Sequence, residues 1–314
     1  MTVLLTGASG FLGRGIHSVA QRRHIEMRCV FRSITSADGC ADAVLMAGLD
    51  GTTNWRASLQ GIDVVIHAAA RAHVMCDESL DPLTEYRSVN VLGTLNLARQ
   101  AADVGVRRFV FISSIKVNGE STIPGHPFTA DDAPAPEDAY GISKAEAESE
   151  LRQLAEESGM EVVIIRPPLV YGPRVKGNFS SLLRAVTSGL PLPFGSLTKN
   201  RRSLVALDNL VDLILTCVDH PNAANQIFLV SDGEDLSIVE LLQRLGKALN
   251  RPARLLRVPT GFLTLAACFF GKMVIVKRLM GSLQVDISKT VTLLEWKPLV
   301  SVDEGLRKMA EHKL

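Results

Sequence analysis

The sequence predicts an α/β fold, a doubly wound parallel sheet followed by a smaller C-terminal α/β lobe, and three observations carry that expectation. Short, nearly continuous apolar runs at 2–6, 27–32, 43–49, 62–67, 108–113 and 161–166 alternate with stretches of helical periodicity. Uninterrupted apolar strands suit a parallel sheet covered on both faces. The first run leads directly into Gly7-Ala8-Ser9-Gly10-Phe11-Leu12-Gly13. Beyond residue 171 the alternation gives way to Pro- and Gly-rich loops between helical stretches at 179–188, 207–218 and 237–249. The expected division is 1–170 for the sheet domain and 171–314 for the lobe, with the chain returning to the sheet around 203–232.

Each element has a local reason. After the first strand, Gly7 permits a tight turn, Gly10 lets backbone amides approach an anion, and Gly13 lets the following helix pack closely on the strand. A diphosphate held there meets the helix N-terminus. At a first strand-to-helix turn this pattern predicts a dinucleotide site formed by Gly7, Ser9, Gly10, Phe11, Leu12 and Gly13. The second strand ends in Phe31-Arg32-Ser33, where a fold that prefers NAD carries an acid bonded to the adenosine ribose. Arg32 cannot accept that bond and would instead meet a 2′-phosphate, so NADP(H) is favoured, with NAD(H) as the alternative. Periodicity predicts helices over 83–104 and 139–158, the second stopped by Gly159. Pro124, Pro127, Pro134 and Pro136 mark the connection between Ser114 and Tyr140 as a loop, expected to cover the site.

The chemistry concentrates in Tyr140-Gly141-Ile142-Ser143-Lys144, 26 residues after Ser114. Helical spacing places Tyr140 and Lys144 on one face. A phenol is a poor acid or base at neutral pH, and an ammonium one turn away is expected to lower its pKa. Ser114 could hold the reacting oxygen.

In this order and separation, the glycine turn and the Ser114, Tyr140, Lys144 set resemble the extended short-chain dehydrogenase/reductase family. Its branches include nucleotide-sugar epimerases, dehydratases and 4-ketoreductases. The resemblance extends to His67-Ala68-Ala69-Ala70, to Asn90 within Ser88-Val89-Asn90-Val91, and to Arg166-Pro167-Pro168-Leu169-Val170-Tyr171-Gly172. It implies a Rossmann-type sheet and a homodimer formed through two helices, one carrying Tyr140. It also implies cofactor contacts at Leu49, Ala68, Ala69, Ala70, Asn90, Tyr140, Lys144, Pro167 and Val170. Asn90 has an equal claim to a structural role, holding the active-site helix through backbone bonds. The family places an aspartate just before the apolar residue that meets adenine, whereas Gly48-Leu49-Asp50 has its acid after it. For the sugar nucleotide the resemblance implies Val74, Ser114, Asn178, Phe194 and Arg202.

Within that family, dehydratases carry Asp-Glu after the catalytic hydroxyl, and Ile115-Lys116 stands here. Two reactions remain. With Arg32 as the tilt, the expected activity is a 4-ketoreductase acting on a UDP-4-keto-6-deoxy-N-acetylhexosamine, of the kind that resembles bacterial O-antigen enzymes, with Tyr140 as proton donor. The alternative is a UDP-hexose or UDP-N-acetylhexosamine 4-epimerase with retained NAD. A non-catalytic NADP sensor on the same fold would not need Ser114, Tyr140 and Lys144.

Composition bounds the rest. The 314 residues are 46% hydrophobic, enough for a large core, and 34 basic against 33 acidic residues give no reason to expect nucleic acid as partner. Cys29, Cys40, Cys76, Cys217 and Cys268 are odd in number with no C-x-x-C, and the seven histidines show no metal spacing, so no metal is expected. No leader pattern precedes the first strand, and the expected location is cytoplasmic. The apolar stretch 261–276 is interrupted by Lys272 and too short to span a bilayer. Its expected role is a helix of the lobe rather than a peripheral membrane contact through Lys272, Lys277 and Arg278.

Overall fold

A computed structural model describes residues 1–33, 40–46, 48–72, 81–175, 177–269 and 273–311. Its strands are β1 (Thr2–Thr6), β2 (Glu26–Phe31), β3 (Asp42–Leu45), β4 (Val64–His67), β5 (Arg108–Ile112), β6 (Glu161–Arg166), β7 (Leu169–Tyr171), β8 (Arg202–Ala206), β9 (Ile227–Leu229) and β10 (Asp235–Leu236). Seven form one sheet in the order β3-β2-β1-β4-β5-β6-β9, and every pair in it is parallel. The strand order reverses after β1, so the carboxyl ends of β1 and β4 border a crevice.

The helices are α1 (Phe11–Arg22), α2 (Arg56–Leu59), α3 (Pro82–Arg87), α4 (Thr94–Asp103), α5 (Ala139–Ser158), α6 (Asn178–Thr187), α7 (Leu207–Asp219), α8 (Ile238–Ala248), α9 (Thr260–Phe269), α10 (Met273–Met280), α11 (Ser288–Leu294) and α12 (Val302–Glu311). One face of the sheet packs Val3, Leu5, Cys29 and Val163 against Ile16 of α1 and Leu210 and Ile214 of α7. The other packs Leu4, Val65 and Phe109 against Leu97 and Ala101 of α4 and Ala147 and Leu151 of α5. Apolar burial on both faces accounts for the uninterrupted apolar strands. A second sheet, β10-β8-β7, shares a separate core with α6, α8 and α12 through Phe179, Leu204, Leu242 and Leu306.

Several details differ from the sequence expectation. The run expected as a strand over 43–49 pairs only as Asp42–Leu45, and Leu49 belongs to the loop that follows. The helix expected over 83–104 is interrupted by a π-helical turn, Ser88–Gly93, between α3 and α4. The cause lies in two tertiary demands. Asn90 within that turn bonds the backbone of Arg71 and the side chain of Ser143, and a Cβ on Gly93 would sit 2.7 Å from the Leu49 carbonyl. By contrast, α5 spans Ala139–Ser158 and ends on Gly159 at φ 75°, the left-handed stop that glycine adopts without strain. The proline-marked loop after Ser114 bridges to the C-terminal segment through Thr122 with Ser282 and Phe128 with Val285. Among the described residues no helix is long and apolar enough to cross a membrane. The apolar stretch forms parts of α9 and α10, and α9 leaves Phe262, Leu265 and Phe269 exposed.

Helix α5 is fixed to the sheet by a buried ion pair. Arg166 at the end of β6 donates from Nε to both Glu148 carboxylate oxygens at 3.0 and 3.1 Å, and from Nη2 at 2.5 Å. Both side chains are about 1% exposed. Ser113 Oγ donates to the same carboxylate, and Arg166 Nη1 donates to Asn118 Oδ1 at 3.0 Å. Removing one partner of such a pair strands a buried charge, which costs roughly 3–5 kcal/mol. Arg166→Met is expected to lower stability by about that amount in urea denaturation. A loss under ~1 kcal/mol would remove the pair from any role in holding α5.

Candidate active site

The turn between β1 and α1 needs glycine at two positions. Gly7 has φ 71°, and a Cβ there would lie 2.7 Å from Ala69 N; a Cβ on Gly13 would lie 2.1 Å from Gly7 O. β1, α1 and the end of β4 therefore approach to backbone contact. Gly10 caps α1 with extended dihedrals and no side-chain cap, and no acidic residue occupies the first turn. The first amides of α1 remain open to an anion.

A cavity of about 380 Å³ opens beside this turn, lined by Gly7, Ser9, Gly10, Phe31, Arg32, Leu49, Trp55, Ala68, Ala69 and Ala70 among others. Its wall holds an orphan donor, because the Trp55 indole Nε1 is buried without a hydrogen-bond partner. Turn, open helix N-terminus and cavity fit an adenosine diphosphate moiety. Leu49 lines the cavity as expected. The doubtful aspartate is resolved otherwise: the Asp50 carboxylate bonds Thr52 and Thr53 within its own turn, and these bonds hold it below the usual carboxylate range. The wall is buttressed from α4. Asn96 donates to Asp50 O and Thr53 O at 3.0 and 2.7 Å, Gln100 donates to Thr53 O at 2.9 Å, and Gln100 Oε1 accepts from Trp55 N at 2.7 Å. Phe11 approaches Gly172, and Leu12 and Val170 pack on the core beneath the sheet.

The catalytic candidates come from adjacent elements. Ser114 follows β5 and caps a short 3₁₀ turn, Ile115–Val117, its Oγ accepting from Lys116 N at 3.3 Å. Helix α5 begins against that turn, where a Cβ on Gly141 would lie 2.8 Å from Lys116 O. Glycine after Tyr140 thus brings the phenol-bearing turn to the Ser114 segment. Lys116 pairs with Asp138, the N-cap of α5, and with Glu120 at 2.7 Å. Asn90 is 1% exposed; it accepts from Arg71 N at 2.8 Å and donates to Arg71 O at 3.1 Å and Ser143 Oγ at 3.0 Å. Its amide ties the end of the β4 loop to α5.

Lys144 lies one turn along α5 from Tyr140 and reaches into the sheet. Its Nζ donates to Ile112 O at 2.9 Å and lies 4.3 Å from the Phe111 ring centroid, and the side chain is 1% exposed. Burial brings its pKa down to about 7, with Glu148 opposing that fall. Tyr140, edge-on to Tyr86 at 5.9 Å, has its phenol raised rather than lowered, by burial first, then by Asp138 and Tyr86. The depression expected from Lys144 gives way to a rise because burial of the phenol dominates, with Asp138 and Tyr86 adding to it. His67 beside it spans Thr6 at 2.7 Å and Thr94 at 3.0 Å, and burial followed by the Lys144 charge holds it neutral at about 3.

The substrate candidates divide. Ser114 and Arg202 line one cavity of about 200 Å³ together with Lys116, Glu120, Pro167, Pro168 and apolar residues of the second core. Arg202 also donates to Gly281 O at 3.1 Å. Phe194 is half-buried and packs on that core. Asn178 begins α6, and Val74 lies outside the described residues. Sequence reasoning missed Trp55 and Arg71, which stand in no spacing pattern of their own, and the pairing of Glu148 with Arg166, although Arg166 opens one of the quoted runs. Another cavity, about 620 Å³ between α1 and α7, contains none of the candidates, so size alone does not mark the site.

Comparison with known proteins follows the same lines. The model of the NAD dependent epimerase/dehydratase family matches residues 3–231. A protein of Vibrio cholerae called UDP-glucose 4-epimerase is 52% identical over 312 residues, covering 99% of this chain and 94% of its own. The crystal structure of Thermotoga maritima UDP-glucose 4-epimerase with UDP-glucose superposes with a TM-score of 0.78 at 21% identity, covering 100% of this chain and 98% of that one. Bacillus cereus UDP-glucuronic acid 4-epimerase, solved with NAD, gives 0.78 at 21% identity over 99% and 96% of the two chains.

Two outcomes are expected. Tyr140→Phe should fold yet lose at least about a hundredfold in turnover, the scale of a positioned acid or base; near-normal turnover would remove Tyr140 from the chemistry. Because the folded pKa of Lys144 is about 7 and its ordinary value 10.5, the unfolded chain binds more protons between those values. Its contribution to stability therefore rises with pH across that window. The denaturation midpoint of ligand-free protein should climb more steeply above pH ~7 than that of Lys144→Met. Identical profiles would contradict this placement of Lys144.

Proposed function

The chain belongs to the NAD dependent epimerase/dehydratase family, and we propose that within it the protein is a UDP-sugar 4-epimerase that keeps NAD bound between turnovers. The observation that carries this reading is the near full-length, 52% identical relative called UDP-glucose 4-epimerase. It favours the epimerase over the 4-ketoreductase, which rested on Arg32 and on a likeness to bacterial O-antigen enzymes. Dehydration gains nothing from the geometry, since the residue two after Ser114 is Lys116, committed to Asp138 and Glu120.

When bound, NAD supplies the acceptor and donor of hydride at sugar C4. The protein supplies the proton. Tyr140 takes the proton of the C4 hydroxyl and returns it after the keto-sugar has turned over, and Ser114 hydrogen-bonds the same oxygen. The raised phenol is already poised for the return step; removing a proton needs a nearby cation, and Lys144 one turn along α5 is the buried one. Gly7, Gly10, Leu49, Trp55 and Ala68 to Ala70 would hold the dinucleotide, and Arg202 would pair with the UDP diphosphate beside Ser114.

NAD rather than NADP(H) is the proposed cofactor. Arg32 lines the cavity but is exposed, and the other lining guanidinium, Arg71, lies over the Tyr86 ring and pairs with Glu85. One solvated cation is a weak partner for a 2′-phosphate. NAD is expected to bind at least as tightly as NADP, and Arg32→Ala to change NAD affinity by less than tenfold, about 1.4 kcal/mol.

Purified protein should interconvert UDP-glucose and UDP-galactose, or their N-acetyl counterparts, without added cofactor and release NAD on denaturation. If it instead consumes one NAD(P)H per molecule of a UDP-4-keto-6-deoxy-N-acetylhexosamine, and interconverts neither pair, the ketoreductase is the correct reading.

A further inference from the structure

Behind the adenosine end of the cleft, three soft-ligand side chains converge from three different elements. His17 lies on α1, Cys29 on β2, and Cys40 two residues ahead of β3. Their ligating atoms all lie within 4.8 Å of one another. Cys29 is fully buried, while His17 and Cys40 are half-buried, leaving an approach from one side. From this geometry we propose that His17, Cys29 and Cys40 form a metal site for one soft divalent ion, with zinc(II) as the fitting example and water in the fourth position.

The donor set argues for that ion. Two thiolates and one imidazole match zinc and exclude the hard cations that take oxygen ligands. With Zn–S near 2.3 Å and Zn–N near 2.0 Å, tetrahedral ligand atoms stand roughly 3.4–3.8 Å apart, so the trio must close by at most about 1.4 Å. Burial lowers the His17 pKa, the direction that favours a ring able to ligate. Burial also pushes the Cys29 thiol far up, and Cys40, its hydrogen-bond partner, adds to the rise. The Cys29 thiol therefore does not ionise unaided. Binding zinc(II) would release two thiol protons, one of them freeing Cys40 Sγ from the Asp42 carbonyl 3.4 Å away. The product, one dication with two thiolates and a neutral ring, carries no net charge and is suited to an apolar surrounding. Cys29 alone would be an ordinary small core residue. What distinguishes it is that a helix and the approach to an edge strand each present a ligand to it.

The site would clip the entry of β3 to α1. β2 between them ends at Phe31, and Phe31 and Arg32 both line the adenosine cavity. The metal would therefore fix the edge of the cofactor cleft rather than take part in the reaction at Tyr140.

The test uses full-length protein, reduced and stripped with a chelator. Wild type should take up one equivalent of zinc(II) in competition with a chromophoric chelator. With cobalt(II) it should show a thiolate charge-transfer band and the intense visible bands of a four-coordinate ion. Cys29→Ser/Cys40→Ser should abolish the charge-transfer band. His17→Ala, which changes a half-buried helix position without touching the core thiol, should weaken zinc by about tenfold to a hundredfold. Cys76→Ser/Cys268→Ser should bind as wild type does. No stoichiometric uptake by wild type, an unchanged cobalt spectrum in Cys29→Ser/Cys40→Ser, or loss in Cys76→Ser/Cys268→Ser would each overturn the site.

Discussion

The arrangement around Tyr140 depends on one buried ion pair. Glu148 lies on α5 two turns beyond Tyr140, and Arg166 closes β6; both are removed from water and each uses its remaining polar atoms on Ser113 or Asn118. Ser113 immediately precedes Ser114, and Asn118 immediately follows the 3₁₀ turn that Ser114 caps. The pair thus joins the helix carrying Tyr140 and Lys144 to both sides of the segment carrying Ser114. Desolvating two charges is costly, and the cost is recovered only where the bidentate geometry is kept. A slip of α5 along the sheet would therefore be penalised far more than the loss of an apolar contact. That is how a site drawn from separate elements keeps its dimensions.

The same helix carries a charge the fold does not comfortably hold. Lys144 has a backbone carbonyl and an aromatic face as partners, and Glu148 four residues along acts on it from below. His67 across the sheet is kept neutral, so it adds no competing charge. The result is a cation close to its neutral form in the ligand-free chain, set against a phenol held firmly protonated. Each departs from its ordinary pKa in the direction burial dictates.

Much of this was legible in the sequence. The parallel strands declared themselves because burial on both faces demands continuous apolar runs, and Gly7, Gly13 and Gly159 sit where the backbone tolerates no Cβ or turns left-handed. The order of Ser114, Tyr140 and Lys144 was readable as well. The interruption at Ser88–Gly93 was not, because a π-helical turn is imposed by Asn90 reaching residues 71 and 143 and not by local propensity. The direction of the Tyr140 shift was missed for a related reason: helical spacing puts two residues on one face but does not say how deeply the phenol is buried or that Asp138 and Tyr86 face it. Trp55 and the trio of His17, Cys29 and Cys40 belong to the same class. Their partners lie on other elements, so no interval along the chain reveals them.

The divide between reductase and epimerase turns less on the proton-transfer residues, which both need, than on whether the dinucleotide must leave. A reductase releases its oxidised cofactor at every turnover, so the wall of its cleft has to open; a 4-epimerase regenerates the cofactor in place. Here part of the wall among the described residues is tied down by bonds. Ala69 contacts Gly7 at a distance that excludes a side chain, Leu49 is pressed on Gly93, and the loop between Asp50 and Trp55 is bonded to α4 by Asn96 and Gln100. Those two amides satisfy backbone groups that a mobile lid would leave to water. Opening the cleft would break several such bonds together.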